Sequence, residues 1–193
     1  MRIRLTWFPP KVSKTRLGGT DFRRLDVNPE DDIIERAARL GRTSGLDEKT
    51  GFGNLLQFLR DLARELARAR RSRHLCDVVV FEVGSEMDPA QVAARIRPFL
   101  REEDAVARIG GQRYAVVVSD SESGDGRRAV KLLQEGLKSV SPFALGRRVV
   151  QPQDHIATTP LRVLQDATAA LQSAREHGGD CIMTWQGIAG SVN

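Results

Sequence analysis

The sequence predicts an α/β (α+β) fold: one sheet with helices packed on it, preceded by an irregular N-terminal arm. Three observations carry this reading. An amphipathic stretch over residues 53–74 runs directly into a β-branched run over 77–83. Two apolar runs, 105–109 and 114–118, flank the pair Gly110-Gly111, as a tight hairpin requires. A second amphipathic stretch, 159–177, ends at glycines and is followed by a short apolar run over 180–185.

Taken in order, residues 1–45 form the arm. Pro9-Pro10 and the scattered charges after them break any helical periodicity. Near its end Asn28 is a suitable N-cap, Pro29 suits the first turn, and the acids that follow favour a short helix. Residues 46–193 form the domain. Leu55, Leu59, Leu62 and Leu66 share one face of the long helix, and Arg60, Arg64, Arg68 and Arg71 share another. Such an arginine face suits an anionic partner, but the interleaved Asp61 and Glu65 argue against nucleic acid and for a solvated surface. A buried strand follows over 77–83. A helix over 88–100 comes next, capped by Asp88 with Pro89 in its first turn. The hairpin, a helix over 127–140, a strand over 145–152 and the closing helix and strand complete the pattern.

Composition narrows the function classes. The 193 residues are 40% hydrophobic but only 5% aromatic, so the core is built mainly of Leu, Val, Ile and Ala. Thirty Lys and Arg against 25 Asp and Glu give a net charge of +5, which favours phosphates or acidic protein surfaces. Cys76 and Cys181 are far apart and lack metal-ligand spacing. His74, His155 and His177 are too few for a histidine-rich metal centre. The start carries positive charge without an apolar run, and no segment reaches the ~20 residues of a membrane span, which together read as a cytoplasmic protein with reduced thiols. No Ser-His-Asp, Cys-His or phosphate-loop pattern is present.

As an ordered set, four segments resemble the GGDEF domain of bacterial diguanylate cyclases. They are "DEKTGFGN" (47–54), "VVVFEV" (78–83), "REEDAVARIGGQRYAVVV" (101–118) and "LRVLQDATAALQSAREHGGDCIMTW" (161–185). The resemblance implies a nucleotidyl-cyclase-like sheet and, in active members, two divalent metals that neutralise GTP and activate its 3′-hydroxyl, work that needs hard oxygen ligands. It also implies that this chain is a degenerate, catalytically inactive member with no catalytic and no metal-binding residues. The signature here reads Gly110, Gly111, Gln112, Arg113, Tyr114, with an amide and a guanidinium where the family places acids. Glu82 stands where the family has a metal-binding aspartate. Arg101 follows Glu82 by only 19 positions, too few for the family's guanine-reading segment. The family's phosphate-binding lysine corresponds to Arg175, and its phosphate-binding arginine to Gly179.

What the resemblance leaves is an inhibitory-site motif, R-x-x-D, at Arg101 and Asp104, five residues before the glycine pair. In the family this motif binds the product, cyclic di-GMP. An arginine fork can donate to guanine O6 and N7, and a carboxylate can accept from N1–H and the exocyclic amine. Arg108 adds charge from the following strand, and Arg128 or Lys131 supplies a further basic residue. The implied function is a cyclic di-GMP receptor that needs no cofactor and signals to a protein partner, with Trp7 and Phe8 of the arm as docking residues. The alternative is a scaffold that uses the same fold without a nucleotide. Arg23-Arg24-Leu25-Asp26 repeats the R-x-x-D spacing, so only the distance to Gly110 singles out the second copy.

Overall fold

The structure is a computed structural model that describes residues 45–121, 125–138, 142–154 and 158–185. Residues 1–44 of the expected arm, including the helix opening at Asn28 and the pair Trp7 and Phe8, lie outside the described residues. The elements are β1 (Gly53–Asn54), α1 (Leu55–Ser72), β2 (Leu75–Val83), α2 (Pro89–Ile96), β3 (Ala105–Gly110), β4 (Arg113–Ser121), α3 (Asp125–Lys138), β5 (Phe143–Val150), α4 (Pro160–Glu176) and β6 (Ile182–Trp185). They form one mixed sheet in the order β1-β3-β4-β2-β5-β6. The four inner strands pair antiparallel, while β1 and β6 add parallel edges. This is the α+β fold that the sequence predicts.

Strand β2 organises the core because its side chains alternate between two covered faces. Cys76, Val78 and Val80 pack with Phe58, Leu62 and Leu66 of α1 and Leu164 and Leu171 of α4. Val79, Phe81 and Val83 pack with Val92 and Ile96 of α2 and Leu133 and Leu137 of α3. At one end of β2 the fully buried Asp77 accepts a two-pronged pair from Arg147 of β5, Nε to Oδ1 at 2.6 Å and Nη2 to Oδ2 at 3.0 Å. Planar fork geometry of this kind is what lets a carboxylate sit in a core.

Local chemistry fixes the helix ends. Asn54 Oδ1 accepts from the Gln57 N–H at 3.0 Å and caps α1. Thr159 Oγ1 does the same for α4 from the Arg162 N–H, with Pro160 at the first position. Gly178 and Gly179, at φ +99° and +75°, close α4 as expected. Two expectations are corrected. Asp88 occupies the N-cap of α2, but its side chain makes no capping bond. The helix stops at Ile96 and passes into a 3-10 turn, Arg97–Phe99, because Pro98 cannot donate a helical hydrogen bond.

Two close contacts yield tests. A Cβ on Gly146 of β5 would sit 2.2 Å from both Ala167 O and Leu171 N of α4. Gly146→Ala is therefore expected to cost about 3 kcal/mol or more, read as a lower urea midpoint; a loss below about 1 kcal/mol would contradict this packing.

Tyr114, the one tyrosine of the chain, stacks on Phe81 with ring centroids 5.1 Å apart. Burial pushes its phenol up to about 12, with the nearby Arg108 pulling the other way. The folded state thus favours the neutral phenol. The stability this lends is complete below the unfolded value of about 10 and is lost as pH rises through about 12. Absorbance titration of the native protein should show no phenolate near pH 10, whereas the urea-unfolded chain should titrate there. A native midpoint near 10 would place the ring in water.

Candidate functional site

Glu82 at the end of β2 lies directly opposite Arg113 at the start of β4. Arg113 Nε donates to Glu82 Oε2 at 2.8 Å, and Arg175 Nη1 of α4 approaches the same oxygen at 3.7 Å. Glu82 is only 9% exposed, so burial strengthens both attractions. A carboxylate flanked by two guanidiniums is already neutralised, and a divalent cation there would meet two positive neighbours. Among the described residues, no group of three His, Cys, Asp or Glu side chains is placed to hold a metal. The residues present therefore do not fit the metal pair of active cyclases.

Gln112 lies at the tip of the hairpin and is bonded to the loop that follows β2. Its Nε2 donates to Ser85 O at 3.3 Å and also to Met87 O, while its own carbonyl accepts from the Val83 N–H at 3.2 Å. Tyr114 Oη donates to Gln112 Oε1 at 3.5 Å. Gly110 and Gly111 both take positive φ, 139° and 55°, and nothing lies within 4 Å of the position a Gly111 Cβ would take. The glycines thus make the turn, and Gln112 and Arg113 fasten it to its surroundings.

Arg108 is drawn into the same end of the sheet. Its Nε donates to Gly111 O at 2.9 Å and its Nη1 to Asp47 Oδ2 at 3.1 Å. Asp47 in turn accepts from the Thr50 N–H and hydroxyl through Oδ1. The opening segment 47–54 is therefore clasped to the hairpin tip through one arginine. Sequence reasoning singled out Arg108 but not this partner, which is 61 positions away and carries no spacing signal.

The opposite end of β3 holds the R-x-x-D turn. Asp104 is 9% exposed, and its Oδ2 accepts from the Arg101 backbone N–H at 3.0 Å while its own N–H donates to Arg101 O at 3.2 Å. The aspartate thus shapes the turn that carries the arginine. The Arg101 guanidinium reaches Glu103 at 3.9 Å, and both side chains are about half exposed. Such a pair contributes roughly 0–1 kcal/mol and yields readily to a better acceptor. Exposed Arg128 and Lys131 lie in the first two turns of α3, which begins where β4 leaves this same end of the sheet. Of the five expected residues, Arg101 and Asp104 therefore share one turn. Arg128 and Lys131 lie at that sheet end on α3, and Arg108 is turned toward the hairpin tip. Cys76 and Cys181 are free thiols, and burial raises both away from reactive thiolate.

No protein-family model and no curated protein matches the chain. Solved structures do. The GGDEF domain of YfiN (TpbB) from Pseudomonas aeruginosa superposes with a TM-score of 0.64 at 25% identity, covering 73% of this chain and 94% of that one. The GGDEF domain of DgcB from Caulobacter crescentus, in complex with c-di-GMP, gives 0.63 at 16% identity, covering 75% and 95%. The diguanylate cyclase SiaD from Pseudomonas aeruginosa, in complex with its activator SiaC, gives 0.64 at 18%, covering 80% and 66%. No described helix is long and apolar enough to cross a membrane. The chain has the fold of the GGDEF domain, as found in diguanylate cyclases.

Proposed function

We propose that this protein is a catalytically inactive GGDEF-like receptor, which binds cyclic di-GMP at the Arg101–Asp104 turn and signals to a protein partner. The absence of chemistry is supported by Glu82: the carboxylate standing where the family binds metal is neutralised by Arg113 and Arg175. Gln112 adds to this by fastening the hairpin to the loop that would otherwise border a substrate.

Binding is supported by the turn itself, and this observation carries the receptor reading. Asp104 is buried and holds the Arg101 backbone by a hydrogen bond, so the arginine is presented from a fixed turn. Its half-exposed guanidinium makes a long, 3.9 Å contact to Glu103. A guanine or phosphate that accepts a two-pronged bond from Arg101 exchanges that contact for a stronger one. Arg128 and Lys131 supply further positive charge from α3, and no cofactor is required. A c-di-GMP complex of the similar DgcB domain supports the choice of ligand, and the SiaD–SiaC complex supports a protein partner as a mode of regulation. Arg108, held by Asp47 and Gly111, contributes mainly to the local field.

Calorimetric titration with cyclic di-GMP tests the reading. Saturable binding at micromolar concentration is expected, with Arg101→Ala abolishing it at unchanged melting temperature. Asp104→Asn should weaken binding and also lower stability by about 1 kcal/mol through the turn bond. No heat at high micromolar protein would remove the receptor function and leave the nucleotide-independent scaffold in its place.

A further inference from the structure

The helix α1 ends in a dense group of arginines: Arg68, Arg70, Arg71 and Arg73, all exposed. Its last turn faces the negative end of the helix dipole, which accounts for some positive charge there. It does not account for Arg73. This residue has φ +56° and ψ +33°, and the His74 N–H closes back on Ala69 O at 3.3 Å. That is the C′ position of a Schellman cap, a position suited to glycine and unfavourable to a residue with a Cβ. Among the described residues the other non-glycine residue at positive φ is Asp180, of a type that tolerates it better. An arginine kept where glycine is more stable is strain held at a surface position, and such strain points to a role outside folding.

The group borders an open groove of about 480 Å³, lined by Arg64, Arg68 and Arg71 together with Asp61, Glu65 and Glu103. Arg64 pairs with Asp61, and Arg68 lies 3.9 Å from Glu65, so the floor carries both signs. A nucleic-acid backbone would set phosphates against those three carboxylates. A polypeptide with an excess of acids and a few basic residues matches the floor and the arginine rim together. Arginine is also the residue whose planar fork pairs two-pronged with carboxylates.

We propose that the C-terminal end of α1, Arg68, Arg70, Arg71 and Arg73 with the adjoining groove, docks an acidic segment of a partner protein. This names the chemistry of the partner in the function proposed above, and it does not depend on nucleotide binding. Glu103 belongs both to the groove and to the turn carrying Arg101, so the two surfaces adjoin.

The test is fluorescence anisotropy of the full chain with a labelled peptide of glutamates carrying a lysine at every third position, at about 0.15 M salt. Saturable binding is expected, weakened at least about tenfold by Arg70→Ala combined with Arg71→Ala. A charge-matched control, Arg95→Ala combined with Lys138→Ala, should weaken it less than about twofold. Arg73→Gly should raise the melting temperature while weakening the peptide, a combination that a purely structural role would not produce. Equal losses in the two double variants, or unchanged binding in Arg73→Gly, would overturn the proposal. So would displacement of the peptide by duplex DNA of equal charge, which would assign the site to nucleic acid. Loss of cyclic di-GMP binding in Arg101→Ala with the peptide still bound would separate this surface from the receptor reading.

Discussion

Strand β2 is hydrogen-bonded along both edges and covered on both faces, so any charge it carries must be answered from a neighbouring strand. It carries two carboxylates. Asp77 is met by Arg147 of β5, and Glu82 by Arg113 of β4. Removing Arg147 would strand Asp77, and removing Arg113 would leave Glu82 to the longer Arg175 contact, so both arginines are structural at this level before any function is considered. The positions differ in one respect that matters. Asp77 is enclosed in the core, whereas Glu82 lies at the hairpin end, where the GGDEF resemblance places a metal site. There the Arg113 guanidinium supplies the positive charge beside the carboxylate.

Other polar side chains at the hairpin end are likewise answered by neighbours in the fold. Gln112 exchanges hydrogen bonds with the loop after β2, Arg108 joins the hairpin tip to Asp47, and Tyr114 anchors the start of β4 by stacking on Phe81. Each polar side chain of the signature is satisfied inward. At the other end of the sheet the pattern is reversed: Arg101, Arg128, Lys131 and the end of α1 are exposed. The proposed functions follow this polarity, with a closed hairpin end and an open, basic end for the proposed ligand and partner.

Much of this was legible in the sequence because it is written in local patterns. The alternation of β2, the apolar stripe of α1 and the glycines around the hairpin and after α4 each depend on neighbours within a few residues. The two-residue strand β1 was not legible, since its pairing with β3 is long-range and Gly53-Asn54 reads as a helix lead-in. The capping role given to Asp88 followed from residue type, yet the cap bond depends on a side-chain orientation that spacing does not encode. The turn role of Asp104 was hidden for a similar reason, because R-x-x-D spacing is equally compatible with an ion pair. The Arg113–Glu82–Arg175 group joins three elements, and only the fold reveals that Arg113 and Arg175 are the partners of Glu82.

The proposed replacement of metal by arginine is tested most directly by incubating the full chain with GTP and magnesium and following nucleotide composition by chromatography. GTP recovered unchanged, with no cyclic di-GMP formed, is the result that the Glu82 geometry predicts. Any magnesium-dependent conversion of GTP to cyclic di-GMP would show that Glu82 is freed from Arg113 in solution and would contradict it.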